Sequence, residues 1–537
     1  MTWTHALTGA HLIDGEWAAT GVGSAQPCSP ETGDALPPAF REAGAAEVDA
    51  AYAAASAAFE QVRSLPHHRW ADLLEAVAER LVGLGEALID RAMAETALTE
   101  ARLVGERART VTQLRLYASM ARAGAWLEPV IDTADPGRKP TPRPDLRRIF
   151  RPIGPVGVFG AGNFPFAYGV CGGDTASALA CGNPVVAKGH PGHAGVDEYC
   201  AAAVLAALGD VGLPAGMFGL VQGAGTAVGA AVVEHPDCEA VGFTGSLRGG
   251  RALFDKAAAR PRPIPVFAEM GSVNPIVLLP GAVRERPEAI AAGLCLSVTN
   301  GGGQFCTKPG LVFLPAGAES DLFEEALGRE MRRVAPITLL SRSISESFVR
   351  RADSISEASG VEVLEAGCRR GECGHGPRLY AVAGDVWRAN PGLHEEAFGP
   401  CTLLVRCGDL EDLAATVACL HGQLTGSLFT GAADLDADVR RVAAILERRV
   451  GRLVLNGYPT GVEVCGAIVH GGPYPATTAA NSTSVGTLAI RRFVRPVSYQ
   501  SLPDALLPPA LQDANPLGLE RIVDGEATRR ALPRNPA

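Results

Sequence analysis

Apolar and polar positions follow several different rhythms along this chain. The opening "LIDGEWAATGVGSAQPCSPETGDAL" breaks into short apolar runs between Gly, Pro and Asp, which predicts short strands and turns. At "AAEVDAAYAAASAAFEQV" the spacing turns helical, and an alanine-rich helical region extends to about Ala125. The next stretch, "DTADPGRKPTPRPDLRRIFRPIG", is rich in Pro and charge and reads as an exposed arm leading into a strand. Beyond it the apolar runs "GPVGVFG", "NPVVAKG", "MFGLVQG", "AVGFTGS" and "PIPVFAEMG" alternate with helical segments such as "VDEYCAAAVLAALGD" and "GTAVGAAVVEH". That alternation predicts parallel βαβ units, with helices on both faces of one sheet.

A second α/β region begins after about Pro280, with "LCLSVTNGGGQFC", the strand "PGLVFLP", the charged helix "DLFEEALGREMRRV" and the strand "RLVLNGYP". The tail after about Pro496 is rich in Pro and Leu with little periodicity, and is expected to pack on a subunit surface. Ligands of such sheets bind beyond the carboxyl ends of the strands. Lys188 ends one predicted strand and Gly245 follows another.

Composition narrows the class. At 537 residues, 47% hydrophobic and 20% charged, the chain can bury more than one core. A net charge of -10 argues against nucleic acid or an anionic membrane as partner, since both need a basic surface. No apolar run is long enough to span a bilayer, and no signal peptide is visible. The thirteen cysteines form no framework, which suits a reducing cytoplasm. Cys368, Cys373 and His375 in "GCRRGECGHG" match no common zinc spacing, so this segment reads as a polar loop and no metal is expected.

The chemistry-bearing positions are individually ambiguous. Cys306 in "NGGGQFCTKPG" lies among glycines, where a structural cysteine would want apolar neighbours and a regular backbone. Asn163 in "FGAGNFPF" is compatible with plain turn chemistry, and Lys188 with a solvated charge. The glycines of "GFTGSLRGG" serve packing or admit a phosphate, and Glu269 in "FAEMGS" serves as a cap or a base.

In this order, however, the segments resemble the aldehyde dehydrogenase superfamily over nearly the whole chain. "NGGGQFC" is similar to its nucleophile segment, "FAEMGS" to its general-base segment, "EEAFGP" to its ribose-binding signature, and "NPVVAKG" and "GFTGS" to its cofactor-binding pieces. "GGDTASALACGNPVVAKGHPGH", "QFCTKPG", "NGYPTGVEV" and "VHGGPYPATTAANSTSVG" resemble the branch of 2,5-dioxovalerate (α-ketoglutarate semialdehyde) dehydrogenases and NADP-dependent fatty aldehyde dehydrogenases.

The resemblance implies an α/β fold with a Rossmann-type cofactor domain (1–140 and 156–280), a catalytic domain (281–480), an oligomerisation arm (141–155 and 481–500) and a C-terminal tail (501–537). It implies Cys306 as nucleophile, Glu269 as general base and Asn163 as oxyanion donor. A base working near neutral pH wants a raised pKa, which the apolar run before Glu269 would supply. Lys188, His190, Gly245, Ser246, Gly250, Glu396 and Phe398 are implied to bind NADP or NAD. Phe166, Phe305 and Thr307 are expected to line the substrate tunnel, with Lys308 adding positive charge at its tip. In place of the glutamate with which NAD-preferring relatives hold the ribose, Pro191 stands here. "LRRIFRPIG" and "SVGTLAIRRFVRP" are implied to pair between subunits of a homodimer or homotetramer. The implied reaction is oxidation of a small aldehyde to a free acid, 2,5-dioxovalerate preferred. A general or fatty aldehyde dehydrogenase and a catalytically silent scaffold remain as alternatives.

Overall fold

The computed structural model describes residues 3–532 and contains two seven-stranded sheets and a five-stranded arm sheet. In the first sheet the strands run in the order Val266–Glu269, Ala240–Thr244, Val156–Phe159, Val185–Lys188, Phe218–Val221, His11–Ile13 and Glu16–Ala18. The first five are mutually parallel and the last two antiparallel. The earliest parallel strand, Val156–Phe159, lies in the middle, with later strands laid down on each side. Chain direction across the sheet therefore switches between Val156–Phe159 and Ala240–Thr244, and a crevice opens beyond their carboxyl ends.

These strands are apolar at nearly every position because both faces are covered. Val158, Val185, Ala187 and Leu220 pack into one core with residues of the helices His68–Gly83, Glu100–Ala123 and Ala194–Asp210. Phe159, Val186, Val221 and Val241 point the other way, into a core with Ala45–Val62. Adjacent residues of one strand thus serve opposite layers.

The second sheet runs Glu362–Glu365, Arg378–Ala383, Cys401–Cys407, Leu311–Pro315, Ile276–Leu278, Gln423–Phe429 and Val450–Leu455. Ile276–Leu278 is one of its central strands, so the passage between the sheets falls between Glu269 and Ile276, ahead of the expected boundary at 280. The short connection places the end of a first-sheet strand directly against the second unit.

The arm sheet runs Val494–Gln500, Leu146–Pro152, Val130–Asp132, Arg521–Val523 and Glu526–Thr528. Here two expectations are corrected. The runs expected to pair between subunits pair antiparallel with each other in one chain, from Val494 opposite Pro152 to Gln500 opposite Leu146. The tail supplies two strands, one of them parallel to Val130–Asp132, and strands of three residues are too short to reveal a period. Residues 533–537 of the expected tail lie outside the described residues.

The segment expected to be a polar loop is also more structured than its composition suggests. Arg369 and Arg370 are exposed, but Cys373 and His375 are buried, and His375 Nε2 bonds Ser345 Oγ at 2.7 Å. Among the described residues no helix is long and apolar enough to cross a membrane.

One buried ion pair fastens the chain ahead of the arm strand to the first unit. Arg492 Nη1 donates to Asp174 Oδ1 at 2.7 Å, with both side chains at least nine-tenths buried. Arg492→Met is expected to leave Asp174 unpaired and cost about 3–5 kcal/mol of stability. A lower urea midpoint reads this effect, and an unchanged midpoint contradicts it.

Candidate active site

The nucleophile loop is shaped by three successive left-handed glycines. Gly301, Gly302 and Gly303 have φ of 57°, 67° and 68°, a region closed to most side chains. A Cβ on Gly303 would lie 2.3 Å from the Gly399 carbonyl oxygen. The chain therefore turns sharply after the helix Pro287–Thr299 and presents Cys306 half-buried between the two units. Asn274, at φ 44° just before the second sheet begins, donates through Nδ2 to the carbonyls of Cys306 (2.7 Å) and Lys308 (3.0 Å). Asn163 Nδ2 donates to the Gln304 carbonyl at 2.8 Å. That bond fixes the orientation of the amide and leaves its second N–H for a ligand.

Glu269 ends the edge strand of the first sheet, and residues 470–484 run alongside it. Met270 N donates to Ala476 O and Thr478 N to Ala268 O, at 2.8 and 3.1 Å. This pairing delivers His470, which is 1% exposed, into the site. Its Nε2 lies 3.3 Å from Cys306 Sγ and 2.8 Å from Glu269 Oε1. Oε1 has no well-aligned hydrogen bond despite that proximity, because the one N–H of Nε2 aims at sulfur. Ser484 Oγ donates to the other oxygen, Oε2.

The electrostatics follow from this wedge. Burial pushes the His470 pKa down, but Glu269 and Cys306 together overcome it and hold the imidazole cationic, with a pKa up at about 10. Burial alone would raise Glu269, as expected from its apolar strand; the charge of His470, the bond from Ser484 and the charge of Arg492 together outweigh burial and lower it instead. Glu269 is thus an ionised carboxylate rather than one poised near neutrality.

On one side of Cys306 a crevice of about 340 Å³ is lined by Asn163, His190, Gly245, Ser246, Glu396 and Phe398 among others. It lies at the switch point of the first sheet. Ser246 caps the helix Leu247–Ala258, whose N-terminus opens there. Glu396 is raised by burial to about 7 even though Lys308 opposes the shift. Lys188, at the end of its strand, is lowered by burial to about 8. His190 is held neutral by burial and by the positive charge of His193 and Lys188. Its Nδ1 accepts from Gly192 N at 3.1 Å, so the proton resides on Nε2. Gly250 does not line this crevice: a Cβ there would meet Met270 Cγ at 2.7 Å, so its role is helix-to-strand packing.

On the other side a cavity of about 350 Å³ is lined by Phe305 and Thr307, as expected, and by Phe164 and Tyr168. Phe166 is corrected: it is 1% exposed in the core, and its N–H donates to Glu106. Lys308 is also corrected. It is 1% exposed and donates to the Ala397 and Cys401 carbonyls, away from the tunnel.

A nucleophilic cysteine between two cavities, one at a dinucleotide-type switch point, can be compared with known proteins. The model of the aldehyde dehydrogenase family matches residues 17–473. This chain belongs to that family. The alpha-ketoglutaric semialdehyde dehydrogenase 2 of Azospirillum brasilense is 47% identical over 527 residues, 97% of this chain and 99% of that protein. The alpha-ketoglutaric semialdehyde dehydrogenase of Acinetobacter baylyi is 42% identical, covering 91% and 93%. The NADP-dependent glyceraldehyde-3-phosphate dehydrogenase of Bacillus halodurans, solved with NADP, superposes with a TM-score of 0.78 at 22% identity, covering 92% and 99%, which shows the fold.

As an aldehyde dehydrogenase the chain has a crevice that fits a nicotinamide dinucleotide. A helix N-terminus suits its phosphates, and His190 Nε2 and Glu396 on the crevice wall suit ribose hydroxyls. Lys188 lies at its strand end and not on that wall. Sequence reasoning missed His470 and Asn274. Their partners lie 164 and 32 positions away in the chain, and no local spacing marks either.

His470→Gln is expected to slow both aldehyde oxidation and iodoacetamide labelling of Cys306 by about 100-fold at neutral pH. An unchanged labelling rate contradicts a role for the imidazole at the sulfur. The same variant has a stability signature. A folded pKa near 10 against about 6.5 unfolded stabilises the fold fully below pH 6.5, and that gain is lost as pH rises through 10. The thermal midpoint of the wild type should therefore fall between pH 6.5 and 10 more steeply than that of His470→Gln.

Proposed function

We propose that this aldehyde dehydrogenase oxidises 2,5-dioxovalerate to 2-oxoglutarate, using NADP or NAD. The observation that carries the chemistry is Cys306 held between Asn163 and the His470–Glu269 pair, at the meeting of two cavities. The substrate assignment rests on the two semialdehyde dehydrogenases that match along nearly their whole length.

Cys306 gives up its thiol proton to Glu269, which passes it to solvent, and the sulfur attacks the aldehyde carbon to form a tetrahedral thiohemiacetal. The imidazolium of His470 is the charge-complementary neighbour of the sulfur before attack. The oxygen that becomes negative is met by the free amide hydrogen of Asn163 and the backbone N–H of Cys306, an arrangement in which one donor is typically worth about 3 kcal/mol. A nicotinamide dinucleotide held in the crevice would supply the acceptor for the hydride. Glu396 and Phe398 lie on the crevice wall next to Cys306 to orient it.

The thioester left on Cys306 is then hydrolysed. Glu269, already ionised, takes a proton from the attacking water. The thiolate that departs is received by His470. Water and oxidised cofactor are consumed, and the free acid, reduced cofactor and one proton leave.

Pro191 follows His190 at the crevice. A carboxylate at that position would stand against a 2′-phosphate at a cost of roughly 4 kcal/mol for charges about 4 Å apart. Without it both cofactors are admitted. Assembly as a dimer or tetramer is part of the same proposal, supported by two unpaired sheet edges, Val494–Gln500 and Val450–Leu455, the latter with Leu453 and Leu455 exposed.

Four measurements test this reading. Cys306→Ala should abolish turnover while cofactor binding is kept, and residual oxidation beyond a trace contradicts it. Glu269→Gln should accumulate an acyl adduct on the peptide bearing Cys306, seen by mass spectrometry of quenched enzyme; rapid steady turnover removes Glu269 from the base role. The kcat/KM values should show use of both cofactors, with NADP favoured by no more than about tenfold, or 1.4 kcal/mol. Pro191→Glu should raise KM for NADP far more than for NAD.

A further inference from the structure

The cavity opposite the cofactor crevice is lined by a guanidinium, that of Arg109, with which no carboxylate among the described residues pairs. Arg102, Arg109 and Arg452 lie in or next to its walls, in a chain whose net charge is -10. Each is committed differently. Arg102 pairs with the buried Glu106 at 2.8 Å and stacks on the rings of Phe164 and Phe305, with its guanidinium carbon 4.3 and 4.9 Å from their centroids. Arg452 donates to the carbonyls of Gly461 and Pro459, bracing the loop that forms one wall.

Arg109 is different. It forms no ion pair among the described residues. Its Nε donates to the Val462 carbonyl at 3.3 Å, and its Nη2 approaches Tyr168 Oη at 3.5 Å with the guanidinium over the ring. Its Nη1 is buried with no hydrogen-bond partner. Thr307 Oγ1, on the wall next to Cys306, is likewise buried and unpartnered. Buried polar atoms are almost always satisfied, so two orphans on residues that line one cavity with Cys306 point to a ligand that completes them. Phe164 packs edge to face against Tyr168 and Phe305, with centroids 5.5 and 5.1 Å apart, and the three rings give the cavity an apolar wall.

We infer that Arg109 binds the distal carboxylate of the substrate, making the cavity selective for short ω-oxo acids. The inference deepens the semialdehyde reading above and rests on it for the identity of the acid. A guanidinium presents its donors in a planar fork that matches a carboxylate and cannot be discharged near neutral pH. Nε and Nη2 already fix the plane of the group, so Nη1 is oriented before the substrate arrives. Thr307 Oγ1 offers a donor to an oxygen carried between the two ends. An aldehyde without a carboxylate leaves the cation unpaired and gains only the apolar contacts.

The test uses the full-length enzyme with cofactor and two substrates of equal length, 2,5-dioxovalerate and pentanal. Arg109→Met should lower kcat/KM for the acid about 100-fold, mostly through KM, as expected for losing hydrogen bonds to a charged group. It should leave pentanal within about threefold of wild type. Arg109→Lys keeps the charge without the fork and should lose less than Arg109→Met. Equal losses on both substrates, or no loss on the acid, overturn the inference.

A second readout needs no turnover. Glutarate, which carries the carboxylates but no aldehyde, should slow iodoacetamide labelling of Cys306 in the wild type and not in Arg109→Met. If glutarate protects through Arg109 while the wild type ignores 2,5-dioxovalerate, the carboxylate site stands and the named substrate falls. If the wild type oxidises 2,5-dioxovalerate and Arg109→Met does so equally well, the substrate stands and the role of Arg109 falls.

Discussion

One buried imidazole nitrogen shared between a sulfur and a carboxylate organises this enzyme. Placing a histidinium and a glutamate out of water is costly unless each compensates the other, and here the compensation also reaches the nucleophile. Most of the surrounding architecture holds that geometry. The strand ending at Glu269 fixes the carboxylate, residues 470–484 along that strand fix the imidazole, and the glycine turn with Asn274 fixes the cysteine. These pieces come from both seven-stranded units, so the site exists only where they meet.

The parallel sheet was legible because its strands are buried on both faces and read as unbroken apolar runs, as in "NPVVAKG" and "AVGFTGS". The long helices from Ala45 to Ala123 were legible for the opposite reason, a helical period sustained over many turns. Cys306, Asn163 and Glu269 were found through short motifs that keep chemistry-bearing residues beside turn glycines. What escaped was information that no local window holds. His470 acquires its meaning only from partners far along the chain. Arg109 is one of several arginines on the helix Glu100–Ala123, and nothing in its spacing separates it from the others. Phe166 was misplaced because the turn after Asn163 directs Phe164 and Tyr168 to the cavity and Phe166, midway between them, to the core.

The pKa of Glu269 shows how a correct local argument loses to a distant neighbour. Its apolar strand does desolvate the carboxylate, in the direction anticipated. Burial remains the largest single effect, but the cation 2.8 Å away, the Ser484 hydrogen bond and the charge of Arg492 together outweigh it and reverse the sign. Glu396 lies at the edge of the same crevice without such a partner at contact distance. There burial prevails, and the group is left near 7.

The arm sheet has a consequence for how the molecule is made. Its strand Val130–Asp132 pairs with Arg521–Val523, and Thr133 and Asp524, also bonded, are 391 positions apart. During synthesis the early strand leaves the ribosome long before its partner exists. Its hydrogen-bonding edge must wait, exposed or shielded by a chaperone, while both large units form. Completion of the arm therefore reports that translation has passed both large units. A chain that stops short leaves an unpaired edge, the feature by which quality control and aggregation both recognise unfinished protein.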